Sequence, residues 1–156
     1  MNVKAVAQQL FDAVRPGRVT IRGAAPGEQD PTVLHVEVRA SGAPTMVGAP
    51  QDGIPSAPTY LWLREHRAIL VQNDCRDDPR PPRMLTDHFG VTAQLLGPLL
   101  RDGVLVGSIS VHQQGGARTW SEADVRAVAY AVQRLRAAWC LDGLGPTPDD
   151  ASPDLT

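Results

Sequence analysis

Apolar residues along the chain follow two alternating periods, and the switches between them outline the elements. Val3, Val6, Ala7, Leu10, Phe11 and Val14 recur at helical spacing, which predicts an amphipathic helix over residues 2–14, stopped by Pro16-Gly17. "RVTIR" at 18–22 alternates as a strand does. In "VLHVEVRA" (33–40), Val33, His35, Glu37 and Arg39 alternate with Leu34, Val36 and Val38, the pattern of a half-exposed strand with His35 turned outward. Residues 41–58, rich in Gly, Pro and Ala, predict irregular chain. Pro58 suits the first turn of a short helix, "PTYLWLRE", and "RAILVQ" (67–72) reads as a strand. After the proline-rich loop "NDCRDDPRPP", a second short helix, "PRMLTDHF", is ended by Gly90. Strands over 92–100 and 104–112 meet at Arg101-Asp102-Gly103, where Asp-Gly signals a hairpin. A long helix closes the pattern, capped by Ser121, with Glu122 and Asp124 in its first turn and Gly143 as its stop. Val125, Val128, Val132, Leu135 and Trp139 form its apolar stripe.

These elements predict an α+β fold: a central antiparallel sheet of five to six strands, the terminal helices on one face, and loops with two short helices covering the other. Side chains alternate across a strand. On the last strand Leu105, Gly107, Ile109 and Val111 should face the helices, leaving Val104, Val106, Ser108, Ser110 and His112 on the opposite side. A dry core rarely ends in Ser-Ser-His, and an open surface rarely begins with two valines. A partly hydrated pocket satisfies both halves. On the neighbouring strand Gln94 should share that pocket.

Composition narrows the classes. The chain has 156 residues, 42% of them hydrophobic, with a formal net charge of −2, enough for one domain and no match to a nucleic-acid binder. No run approaches the ~20 apolar residues of a membrane span. Lys4, Gln8, Gln9 and Asp12 interrupt the N-terminus, which therefore lacks a signal-peptide core, and a cytoplasmic location is expected. Residues 1–142 are read as one domain and the acidic, Pro-rich 143–156 as a disordered tail. The two cysteines, Cys75 and Cys140, are expected as free thiols, and the four histidines lack metal-ligand spacing, so no metal is expected.

The stretch "LLGPLLRDGVLVGSISVHQQGGARTWSEADVRAVAYAVQRL" resembles the C-terminal half of a GAF domain. It has an apolar strand with Pro98 near its end, a short turn, a "LVGSISV" strand with Gly107, and a polar break with Trp120 before Ser121 opens a long helix. "REHRAILVQND" resembles that family's middle strand, with Asp74 at its end. The resemblance implies a pocket opposite the terminal helices, small-molecule sensing, and dimers paired through those helices. Departures narrow it. The Asn-Lys, Phe and Asp-Glu signature of cyclic-nucleotide binders is missing. Bilin attachment uses a Cys often followed by His, whereas Cys75 precedes Arg76. The sulfoxide reductases of the family use several cysteines, and acids where this chain has Gln94, Ser110 and His112, which turns the expectation toward a neutral or anionic ligand.

The candidate binding residues are Tyr60, Trp62, Asp74, Cys75, Arg83, Gln94, Ser108, Ser110 and His112. His112 can bond a ligand or act as a base, or it is a sheet-edge histidine bonded to water. Ser108 and Ser110 can donate to a ligand or simply to a neighbouring loop. Arg83 can serve an anion site at a helix start, or pair with Asp87 four residues on. Tyr60 and Trp62 point different ways from one helix, so one can cap the pocket. The leading expectation is a dimeric sensor of a small metabolite that needs no cofactor. With helices at both ends, its output is expected in a separate partner or in a domain fused outside this sequence. The alternatives are a small enzyme with Cys75 as nucleophile or redox thiol and His112 as base, and an interaction module with a vestigial pocket. A second stripe on the terminal helices (Ala7 and Phe11; Ala129, Ala131 and Ala138) offers a dimer surface.

Overall fold

The computed structural model describes residues 2–50 and 53–142, so the expected tail and the Gly143 stop lie outside the described residues. In chain order the elements are α1 (Val3–Val14), β1 (Arg18–Gly23), β2 (Leu34–Arg39), α2 (Pro58–His66), β3 (Leu70–Gln72), a π-helical turn (Met84–His88), β4 (Val91–Arg101), β5 (Val104–Gln114) and α3 (Glu122–Ala138). The strands form one antiparallel sheet in the order β2-β1-β5-β4-β3. The α+β class, the five strands and the helix-covered face agree with the sequence pattern.

Helices α1 and α3 share one face. Val6, Ala7, Leu10 and Val14 of α1 and Val128, Ala131 and Leu135 of α3 close over Val19, Ile21, Leu95, Leu99, Ile109 and Val111. Ser121 caps α3 with a reciprocal bond: its hydroxyl accepts from the Asp124 N–H, and the Asp124 carboxylate accepts from the Ser121 N–H. Arg118 ties three elements together. It donates to the Val14 carbonyl at 2.8 Å, to Gln113 Oε1 at 3.1 Å, and lies 3.4 Å from Asp124. Trp120 donates from its indole to the Gln72 carbonyl at 3.0 Å, fixing the start of α3 against β3.

Three expectations are corrected. The final helix ends at Ala138, because Cys140 takes a left-handed conformation (φ 53°) and turns Leu141 back into the core. The segment over 82–89 forms only one π-helical turn. On β5 the predicted faces hold from Gly107 onward and reverse before it. Asp102 and Gly103 both have positive φ, making a two-residue turn that pairs Arg101 with Val104 and Leu100 with Leu105. Leu99 pairs with Gly107, so Val106 is an extra residue, a β-bulge. Leu105 therefore packs with Leu63, Leu70, Leu96 and Leu100 on the pocket side, Val106 packs toward the helices, and Val104 is exposed. Gly107 is required here. A Cβ would lie 2.3 Å from the Arg22 carbonyl oxygen, so no side chain fits where β5 meets β1.

The dimer stripe is also largely used within the chain. Ala7 and Ala131 are buried in the helix–sheet core, Phe11 and Ala138 pack against it, and only Ala129 of that set is exposed.

Candidate functional site

The sheet face away from α1 and α3 is polar along its centre. On β1 the alternation that sends Val19 and Ile21 to the helices sends Arg18, Thr20 and Arg22 the other way. Register sets Arg18 beside His112, Thr20 beside Ser110 and Arg22 beside Ser108. One strand further, Gln94 lies beside His112 and Leu96 beside Ser110. Gln72 of β3 completes the row next to Gln94. All of these polar groups are buried, Arg18 completely.

Above this floor lies a cavity of about 120 Å³. Its floor is Arg22, Gln94, Leu96, Ser108, Ser110 and His112. Its walls come from Tyr60 and Leu63 of α2, from Met46, Ala49, Pro50 and Ile54 of the long loop, and from Met84, Leu85 and Phe89. The lining is apolar apart from a few convergent polar groups, the usual make-up of a small-molecule site.

The loop is held over the cavity by a buried ion pair. Arg18 Nε lies 3.4 Å from Glu37 Oε2, and Arg18 also donates to the Pro44 carbonyl and stacks 5.4 Å from the Phe89 ring centre. Glu37 in turn accepts from the Thr45 hydroxyl at 2.6 Å and the Met46 N–H at 2.7 Å. Burial pulls both Arg18 and Arg22 below the ordinary arginine value, with Glu37 opposing. A guanidinium stays charged even so.

His112 Nδ1 is 3.2 Å from Arg18 Nη1. Because arginine only donates, Nδ1 must accept, and the ring proton sits on Nε2. Burial, with added repulsion from Arg18 and Arg22, holds the imidazole well below its ordinary value, so it is neutral at pH 7. It offers the cavity a donor, and its one lone pair is already engaged by Arg18. This has a stability consequence. The unfolded chain takes up a proton on His112 near pH 6.5 and the folded chain does not, so acid favours unfolding. Stability should be full above about pH 6.5 and fall below it, by at most about 1.4 kcal/mol per pH unit. Urea melts between pH 7.5 and 5.5 check this. The slope should flatten in His112→Gln, and an unchanged slope would show that the imidazole is not held neutral.

Of the residues expected from the sequence, the cavity brings together Tyr60, Gln94, Ser108, Ser110 and His112. The other four lie outside its lining. Trp62 stacks on His66 with ring centres 4.2 Å apart. Asp74 is bound at 2.9 Å by Arg76. Arg83 is almost fully exposed and sits 3.8 Å from Asp87, the pairing its spacing allowed. Cys75 is buried with Met46, Phe89 and Val91, and burial beside Asp78 and Asp74 pushes its thiol up to about 12. A nucleophilic thiolate needs the opposite shift. Sequence reasoning missed Arg18, Arg22 and Gln72. The alternation of "RVTIR" did carry the signal that both arginines share the face of Thr20.

Among the described residues, no group of three or more His, Cys, Asp and Glu side chains could hold a metal ion, and no helix is long and apolar enough to cross a membrane.

Comparisons with known proteins bear on this geometry. No curated protein matches the chain. Among solved structures it is similar to the photoproduct state of GAF3 from Slr1393 of Synechocystis sp. PCC6803, at 18% identity and a TM-score of 0.69, over 87% of this chain and 89% of that one. It is similar to the red light-absorbing state of NpR6012g4, a red/green cyanobacteriochrome, at 22% identity and 0.66, over 86% and 89%. It is also similar to the far-red absorbing dark state of JSC1_58120g3 with bound biliverdin, at 18% identity and 0.61, over 83% and 82%. At these identities the likeness is one of fold. The GAF domain profile matches residues 3–139, nearly the whole described chain, and with the sheet order and the roofed polar face it leads to one conclusion: this chain belongs to the GAF domain family.

Proposed function

We propose that this chain is a sensory domain for a compact metabolite, neutral or anionic, bound on the inner sheet face. The observation that carries this reading is the roofed cavity onto which Arg22, Gln94, Ser108, Ser110 and His112 converge. Its polar groups include a guanidinium and a neutral imidazole that donates, which suits ligand acceptors and disfavours an ammonium. Its size favours a small occupant. Drug-sized ligands fill clefts of about 300–1,000 Å³, and the cavity holds about 120 Å³. A tetrapyrrole such as the biliverdin bound by one structural relative would require the loop to leave its place.

Thermal-shift measurements with a panel of small carboxylic acids, sugars, nucleotides, haem and biliverdin test this. A compact compound should stabilise the protein by about 2.7 kcal/mol at a hundredfold excess over its Kd. Leu96→Trp, which fills the cavity, should remove the shift. Shifts produced only by haem or biliverdin would overturn the reading.

The proposal includes a homodimer formed by the outward faces of α1 and α3 and a separate output protein. Tyr130 supports the surface: it is 61% exposed, with Arg134 stacked 5.5 Å from its ring centre. Sedimentation velocity should show a dimer that Tyr130→Asp dissociates; a monomeric parent chain would remove this part of the proposal.

A further inference from the structure

The hydrogen-bond directions along the cavity floor are fixed from outside it, and they specify what an occupant must present. Hydrogen bonds from Arg80, the shortest at 2.6 Å, hold Asp78 well below the usual carboxylate range, so Asp78 only accepts. Gln72 must therefore turn its NH2 to Asp78, at 2.7 Å. That leaves Gln72 Oε1 to accept from the Gln94 NH2, at 2.5 Å. Gln94, a residue of the cavity lining, is left with Oε1 as its unclaimed atom. This oxygen is buried and has no hydrogen-bond partner among the described residues. An amide whose orientation is ordinarily ambiguous is thus set by an ionised carboxylate two links away.

The neighbouring group is set from the other side. Arg18 occupies His112 Nδ1, so His112 offers Nε2–H. Gln94 and His112 are register partners on β4 and β5, where paired side chains start about 4.5–5.5 Å apart. The floor therefore carries an acceptor and a donor side by side, and the acceptor is unsatisfied.

We propose that this pair recognises a cyclic or primary amide: a lactam, ring imide or carboxamide whose N–H meets Gln94 Oε1 while its C=O meets His112 Nε2–H. The inference rests on the reading of the cavity as a ligand site and gives that site its ligand class. Geometry selects within amides. An open-chain secondary amide is trans, with N–H and C=O on opposite sides. A small ring or a primary amide puts both on one edge, as the floor requires. Size agrees: a cavity of about 150 Å³ holds a benzene ring, and this one is slightly smaller, at about 120 Å³. The apolar wall of Leu63, Met46 and Phe89 meets the ring's other edges.

Calorimetry with 2-pyrrolidinone, succinimide and uracil, each against its fully N-methylated form, tests the class. Methylation removes the donor and strands Gln94 Oε1, so the parent rings should bind at least about tenfold more tightly. The preference should vanish in the Gln72→Leu, Gln94→Leu double variant, which removes both amides together. Should that variant not fold, the methylation ratio on the unaltered chain still decides. Equal binding of methylated and parent rings overturns the class. So does silence from every ring amide while a compound of the broader panel binds, an outcome that leaves the sensory reading standing. Silence from both panels ends both proposals.

Discussion

Replacing Glu37 by Gln should cost about 3–5 kcal/mol, because it leaves the buried Arg18 guanidinium without its counter-charge. Arg18 is fully buried and the Glu37 side chain is 6% exposed, so solvent cannot take over the lost partner. Arg39, 3.4 Å from the same carboxylate, adds a second positive charge to the vacated position. The loop should loosen with it, since the Thr45 hydroxyl and the Met46 N–H both donate to Glu37. Urea denaturation read as a shift in midpoint at constant m-value measures the effect. A loss below about 1 kcal/mol would mean that the pair behaves as an exposed one. The double replacement Arg18→Met with Glu37→Leu should recover most of the loss, because a packed apolar pair of similar volume is often neutral or stabilising. It should not recover ligand binding, since His112 would lose the donor that fixes its tautomer.

Leu135→Ala is the second large effect, about 2–5 kcal/mol. Leu135 is fully buried in the core that seats α3 on the sheet. Gly97 lets the helix approach this closely. A Cβ there would lie 2.8–3.0 Å from the Ile109, Val132 and Val128 side chains, so the helix–sheet core that Leu135 shares with Val128 and Ile109 is close-packed. Thermal melts measured with urea titrations will read it. A cost under about 1 kcal/mol would show that the seam collapses into the space left.

The sequence made the architecture legible wherever one local period decided it. The apolar stripe of α1, the Asp-Gly turn that pairs β4 with β5 and the capped start of α3 are such places. It also made the outer half of β5 legible, since Ser108, Ser110 and His112 alternate with Gly107, Ile109 and Val111. What local pattern does not carry is which strands lie inside the sheet. Nothing in the local pattern marks Arg18 and Arg22 as buried; that follows only from the place of β1 between β2 and β5, buried along its whole length. The same applies to Cys75. Its loop position suggested reach into the pocket, and tertiary packing against Met46, Phe89 and Val91 placed it elsewhere. The Val106 bulge arises from two constraints that meet at a distance, the Asp102-Gly103 turn at one end and the Gly23–Gly107 contact at the other.

That extra residue makes the hairpin tolerant of changes in length. Removing Val106 would close the ladder into unbroken pairing, with Leu105 still opposite Leu100 and Gly107 still opposite Leu99. A one-residue deletion, which in an ordinary strand turns every following side chain inside out, is here absorbed before it reaches Ser108. The tip can therefore be shortened in evolution or in engineering without shifting the reading frame of the chemistry behind it.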